Sequence, residues 1–210
     1  MEMMNARLAE FAALFCLLAP AAWSQVIRFE TNGLKYQTLT RSGVTIMFAR
    51  LPSHVRDFTV VQASISNGSQ GPYLIKPEDF SFQRADGEAI RAAPANEVVD
   101  SLMTKASRSD VIHLVTAYEN AVYGNTHFKS FVNGYEARRR SALAEVSSAK
   151  LKAAAAASAI AMVSTNLYPG DSTDGAVFFP STGKSPGAGK LLVHAGAETF
   201  EFDTDPFPAK

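Results

Sequence analysis

Apolar and polar residues alternate with a period of two from Lys35 to Ile90 and again from Val177 to Phe202, and between these stretches the period changes. Val44, Ile46 and Phe48 interleave with Thr45, Met47 and Ala49, and Val61, Ala63 and Ile65 with Gln62, Ser64 and Ser66, as in strands with one buried face. Asn67-Gly68-Ser69-Gln70-Gly71-Pro72 supplies turn chemistry, Gly for positive φ and Pro for a fixed φ. Phe80 and Phe82 alternate with Ser81 and Gln83 ahead of Asp86-Gly87, which predicts a hairpin returning through Glu88 to Arg91. Val177 with Phe179, Leu191 with Val193, and Phe200 with Phe202 are three more alternate pairs, the first two separated by Pro180 and STGKSPGAG. Short strands punctuated by Gly and Pro predict an antiparallel sandwich, with a closed barrel as the structural alternative.

Between these strands, from about residue 96 to 165, the spacing is helical. Val111, Val115, Tyr118 and Val122 share a helix face, with Ser109 as candidate N-cap and Gly124 as candidate stop. A longer helix is expected to start at Asn133, with Glu136 completing a capping box, and to run through AKLKAAAAASAIAMV until Pro169 and Gly170 break it. The predicted class is therefore mainly β with an α insertion, a helical hairpin placed between the strands of an antiparallel sandwich. Residues 25–210 form one domain in this reading.

Four stretches, VVQASISNGS, PEDFSFQRADGEAI, LYPGDSTDGAVFFP and KLLVHAGAETFEFD, stand in an order that resembles bacterial secreted and lipoprotein modules with an immunoglobulin-like sandwich. In that family a strand ends in Asn with small polar residues, a Phe-x-Phe strand leads into an Ala-Asp-Gly turn, and a Pro-Gly-acidic turn precedes Gly-x-Val-x-Phe. The resemblance covers about half of the chain outside its first segment, and residues 96 to 165 depart from the shortest members. It implies an immunoglobulin-like fold and a binding or assembly role with no shared catalytic residues.

The first residues carry a different message. Phe11 to Ala22 is a twelve-residue apolar run with Arg7 before it and Ala22-Trp23-Ser24 after it, the pattern of a secretory signal peptide over residues 1–24. An exported, periplasmic, cell-envelope or secreted protein is expected, with membrane contact only through an uncleaved leader. The single cysteine, Cys16, lies inside this run behind the bulky Phe15, which disfavours lipidation and leaves no thiol for disulfides, zinc or nucleophilic chemistry downstream. The formal net charge is +0, and setting the leader aside removes one Arg and two Glu, so no electrostatic argument for nucleic acid arises.

Candidate chemistry is sparse. Gly183-Lys184-Ser185 resembles the tail of a phosphate-binding loop, but position 178 is Phe where that loop needs Gly, and Gly187-Ala188-Gly189-Lys190 is followed by Leu191 where a hydroxyl is needed. His54, His113, His127 and His194 lack metal-ligand spacing, and no Gly-x-Ser-x-Gly elbow occurs. Asp171, Asp174, Glu198, Glu201 and Asp203 read as solvent-facing strand and turn residues. Neither a metal, a cofactor nor a catalytic set is expected.

Two features point to binding. Tyr118, Tyr123, Phe128, Phe131 and Tyr135 lie close in sequence to Arg138 and Arg139, and aromatic and Arg side chains dominate binding hot spots; their alternative role is to fasten the insertion to the sheet. Ala142, Val146, Ala149, Ala153, Ala156, Ile160 and Val163 form a helical seam of mostly small residues, suited to close packing on the sandwich or on another subunit. The leading expectation is a non-enzymatic envelope protein that binds a protein partner or itself through its helices. A carrier of a small apolar ligand between insertion and sheet is the alternative, and an exported hydrolase the residual one.

Overall fold

A computed structural model describes residues 25–31, 33–123, 148–181 and 187–204, apart from the side chains of Pro52, Ser53 and residues 117–123. The chain is mainly antiparallel β. In order it forms β1 (Ile27–Thr31), β2 (Leu34–Arg41), β3 (Val44–Val55), β4 (Phe58–Asn67), β5 (Tyr73–Ile75), β6 (Phe80–Arg84) and β7 (Ala89–Arg91). Helices α1 (Ala95–Lys105), α2 (Arg108–Tyr123) and α3 (Ala149–Ile160) follow, and then β8 (Thr165–Leu167), β9 (Ser172–Pro180), β10 (Gly189–Ala195) and β11 (Glu198–Thr204).

The strands make a five-stranded sheet in the order β1-β2-β3-β4-β9, a four-stranded sheet β11-β10-β6-β7 and a small ribbon β5-β8. The five-stranded sheet is covered on both faces. Leu39, Val44, Ile46, Phe48, Val61, Ala63, Ile65, Val177 and Phe179 turn towards the four-stranded sheet and meet Phe80, Phe82, Leu191, Val193, Phe200 and Phe202. On the other face Tyr36, Met47, Leu51, Val55, Phe58, Val60 and Phe178 pack under Val98 and Leu102 of α1, Leu114 of α2, and Ala153, Ala156, Ala157 and Ile160 of α3. The architecture has three layers, sheet on sheet on helices, because successive side chains of the middle sheet point to opposite faces and both sets are apolar.

This third layer corrects the reading of half-buried strands. Gln62 and Ser64, interleaved with Val61, Ala63 and Ile65, are 2% and 1% exposed. Asp174, which pairs with Ser64 across β4 and β9, is also buried and does not face solvent. Gln62 Nε2 donates to Ser64 Oγ at 2.7 Å, so part of this buried polar patch satisfies itself.

The helices also differ from expectation. Three are described instead of a hairpin, and α1 was not anticipated. Helix α2 starts at Arg108, so Ser109 is not its cap; Ser107 stands before the helix and Asp110 returns the capping contact. The stop expected at Gly124 and the helix start expected at Asn133 lie outside the described residues. The alanine-rich helix stops at Ile160, well before Pro169. Its last bond runs from Ala161 N–H to Ala157 O, after which Met162 N–H donates to Ala176 O at 2.9 Å. Pairing with the edge of β9 competes with further helix and wins, helped by Gly175, where a Cβ would lie 2.4 Å from the Met162 Cα. Pro169 and Gly170 instead shape the turn between β8 and β9, where Gly170 has φ +91°.

Candidate interaction surface

Helix α2 is anchored at its start by a charged contact. Arg56, at the tip of the β3-β4 hairpin with φ 54°, donates from Nε to Asp110 Oδ2 at 2.9 Å. The same oxygen accepts from the Ser107 backbone N–H at 2.6 Å and the Ser107 hydroxyl at 2.8 Å. Burial pushes the Asp110 carboxyl up, but the Ser107 hydrogen bonds and the Arg56 guanidinium outweigh it and hold the group below the usual carboxylate range. The sequence signal for this anchor is Ser107 three residues before Asp110, a half capping box.

Packing then divides the helices into an inner and an outer side. Val98 and Leu102 of α1 are fully buried, and so is Leu114 of α2, with Val111 and Val115 partly buried beside them. Ile112, two residues and about 200° around the helix from Leu114, is 58% exposed. Met103 of α1 and Leu151 of α3 are 46% and 44% exposed. Large apolar side chains therefore occupy the outer as well as the inner side of all three helices.

The expected seam falls mainly on the inner side. Ala153, Ala156 and Ile160 are buried within this chain against the five-stranded sheet and the neighbouring helices, Ala149 is partly buried and Val163 is exposed at the margin. Ala154, Ala157 and Ala159 are buried too, so α3 is enclosed around most of its circumference. Ala142 and Val146 lie outside the described residues, as do Phe128, Phe131, Tyr135, Arg138 and Arg139; Tyr118 and Tyr123 lie in α2, and their side chains are likewise outside the description.

Elsewhere the polar groups are structural in character. Asn67, at the end of β4, is completely buried and uses its whole side-chain capacity: Nδ2 donates to Gly71 O at 2.8 Å and Leu167 O at 2.9 Å, and Oδ1 accepts from Ser69 N–H and Ser69 Oγ. Turn chemistry at Asn67-Gly68-Ser69 was visible in the sequence; the reach to Leu167, a hundred residues away, was not. Arg50 lies over the Phe82 ring, 5.7 Å from its centroid, and burial lowers its pKa to about 10, leaving it charged at neutral pH. His54 Nδ1 contacts Thr59 Oγ1 and His194 Nδ1 contacts Thr199 Oγ1, each on its own hairpin. Among the described residues no group of three or more His, Cys, Asp or Glu side chains is placed to hold a metal ion, and no described helix is long and apolar enough to cross a membrane.

The fold and its surface define a layered, mainly antiparallel β protein with a helical cover. Set against protein-family models, curated proteins and solved structures, the chain matches none.

Proposed function

We propose that this protein is an exported, non-enzymatic interaction module built on an immunoglobulin-like sandwich, with the outer side of its helical layer as the surface for a protein partner. The strand order supports the fold assignment. Read as A-B-E, strands β3-β4-β9 face β11-β10-β6-β7 read as G-F-C-C′, and the helices with β8 stand where strand D would lie. The leader pattern in residues 1–24 supports export.

The observation that carries the binding role is the exposure of Met103, Ile112 and Leu151 on helices whose inner sides are already packed. Ile27, Leu74, Val163 and Tyr168 are exposed elsewhere among the described residues, and Met103, Ile112 and Leu151 are the three that stand on the helical layer; exposed apolar side chains that share a surface mark interaction sites more than scattered single ones do. A photo-crosslinking residue placed at Ile112 or Leu151 of the full chain, in the cell that exports it, tests this. Discrete adducts of defined mass are expected from both positions, lost in Met103→Asp, and absent when the probe stands at Lys190 on the four-stranded sheet. No adduct from either helical position, or the same adducts from Lys190, overturns the proposal.

A further inference from the structure

The sheet edges of this molecule are treated unequally. The outer edge of β9 is occupied: Ala93 N–H donates to Phe178 O at 2.7 Å and Met162 N–H to Ala176 O at 2.9 Å. On the outer edge of β11, Gln37 Nε2 donates to the Asp203 carbonyl and Arg41 to the Thr199 carbonyl. Strand β7 is only three residues long. Such coverings are how sheet proteins avoid edge-to-edge pairing. On β1 the backbone groups of Arg28 and Glu30 meet no such partner among the described residues; the strand is five residues long, its ladder partner is β2, and Ile27 is 62% exposed.

We infer that β1 pairs with β1 of a second copy of this chain, antiparallel about a two-fold axis through Phe29. The argument lies in its sequence, Ile27-Arg28-Phe29-Glu30-Thr31. Turned about Phe29, the strand sets Arg28 opposite Glu30 of the second copy and Glu30 opposite its Arg28, two opposite-charge pairs in direct register, with Ile27 against Thr31 at the ends. The backbone phase agrees. The Thr31–Leu34 pair closes a two-residue turn, so by the alternation of an antiparallel ladder Thr31, Phe29 and Ile27 bond to β2 while the N–H and C=O groups of Arg28 and Glu30 point outward. Those outward groups are the ones that Arg28 and Glu30 exchange with each other across the axis. Phe29 then falls on a non-hydrogen-bonded pair, where side chains approach most closely. It already stacks on Tyr36, with centroids 5.2 Å apart and planes within 9°, so the ring ladder continues from one copy to the next.

Arg28 also stands 4.0 Å from Asp203, with both side chains more than half exposed, a contact weak enough to coexist with the new one. An axis normal to the sheet keeps both helical layers on the same side of a continuous sheet. The dimer thus presents two copies of the outer helical surface in one direction, which raises avidity without new contacts. The inference does not depend on what binds that surface.

Sedimentation equilibrium of the full chain over a wide concentration range tests the pairing. The wild type is expected to show a reversible monomer–dimer equilibrium, weak because the edge is short. Arg28→Glu or Glu30→Arg alone should weaken it by about tenfold by making like-charge pairs, and the two together should restore it. Arg28→Pro removes an outward N–H without touching the β1-β2 ladder and should abolish the dimer while leaving the circular-dichroism melt in place. A wild type that stays monomeric at the highest soluble concentration overturns the inference. So does a dimer that survives Arg28→Pro, or single and double charge variants that behave alike. Crosslinking from Ile112 in the Arg28→Pro chain reads the helical surface separately, so either proposal can fail alone.

Discussion

Replacing Asn67 with Ala removes a side chain that ties together the end of β4, the turn to Gly71 and strand β8. Four hydrogen bonds go at once, from Nδ2 to Gly71 O and Leu167 O and to Oδ1 from Ser69 N–H and Oγ. Each is worth about 1 kcal/mol net, and a carbonyl such as that of Leu167, left buried without its donor, adds a desolvation cost, so a loss of about 3–4 kcal/mol is expected. For a chain of this size that lowers Tm by about 10 °C. Urea unfolding followed by far-UV circular dichroism reads the loss directly, with the midpoint falling and the slope unchanged. Asn67→Asp sharpens the test, because a carboxylate would aim at the two carbonyl oxygens that now accept from the amide. Burial and those oxygens raise its folded pKa above the unfolded value of about 3.9. Its ionisation therefore costs stability as pH rises through and above about 4, and acidification should relieve the penalty relative to wild type. A cost below about 1 kcal/mol for Asn67→Ala would refute the view that this residue joins the two chain segments.

Asp110 gives the opposite pH signature: its folded pKa is depressed, so its contribution is complete above the unfolded carboxyl pKa and is lost as pH falls through the lower folded one. Asp110→Asn should flatten the acid limb of Tm against pH, and an unchanged limb would show that the Arg56–Ser107 contacts add nothing. Gly175→Ala places a methyl 2.4 Å from Met162 Cα and should cost about 2 kcal/mol or more in urea unfolding; a neutral result would mean that the Met162 segment moves freely off β9. Ala156→Leu, in a site with 0% exposure, should cost about 1–3 kcal/mol, while Ser158→Leu on the exposed side of α3 stays within about 0.5 kcal/mol; equal effects would contradict the inward orientation of that helix.

Period-two alternation was enough to find β3, β4, β6, β9, β10 and β11, because Val44, Ile46, Phe48, Val61, Ala63, Ile65, Phe80, Phe82, Val177, Phe179, Leu191, Val193, Phe200 and Phe202 all line one core. The second core was hidden for two reasons. Gln62, Ser64 and Asp174 are polar, and a polar residue on the alternate face reads as solvent-facing unless something covers it. Part of the cover is α3, whose Ala residues give no apolar stripe, although their small size is what lets α1 and α2 pack close against it. Strand β1 was missed although Ile27 and Phe29 alternate with Arg28 and Glu30, because five residues directly after the leader pattern give too short a run of that alternation. Helix α1 did leave a trace in Pro94, Glu97, Val98, Leu102 and Lys105, a start signal, one helical repeat and a basic last turn. The aromatic and Arg segment from Phe128 to Arg139 lies outside the described residues, so the proposed binding surface rests on Met103, Ile112 and Leu151.

The position of the helices in the chain suggests an addition to a finished sandwich, but the packing argues otherwise. Strand β4 contributes Val61, Ala63 and Ile65 to one core and Phe58 and Val60 to the other, and β9 divides Val177 and Phe179 from Ala176 and Phe178 in the same way. Without the helices, Tyr36, Met47, Leu51, Val55, Phe58, Val60 and Phe178 would face water on one side of the sheet, and Gly175 and Ala176 would lose the Met162 segment from their edge. A patch of seven large apolar side chains exceeds what a soluble monomer leaves uncovered. The strands shared by both cores couple the layers, so the helical cover and the sandwich should unfold in a single transition. The outer surface of the helices is then held by the whole domain, and the rigidity that the proposed binding face requires comes from the sheet beneath it.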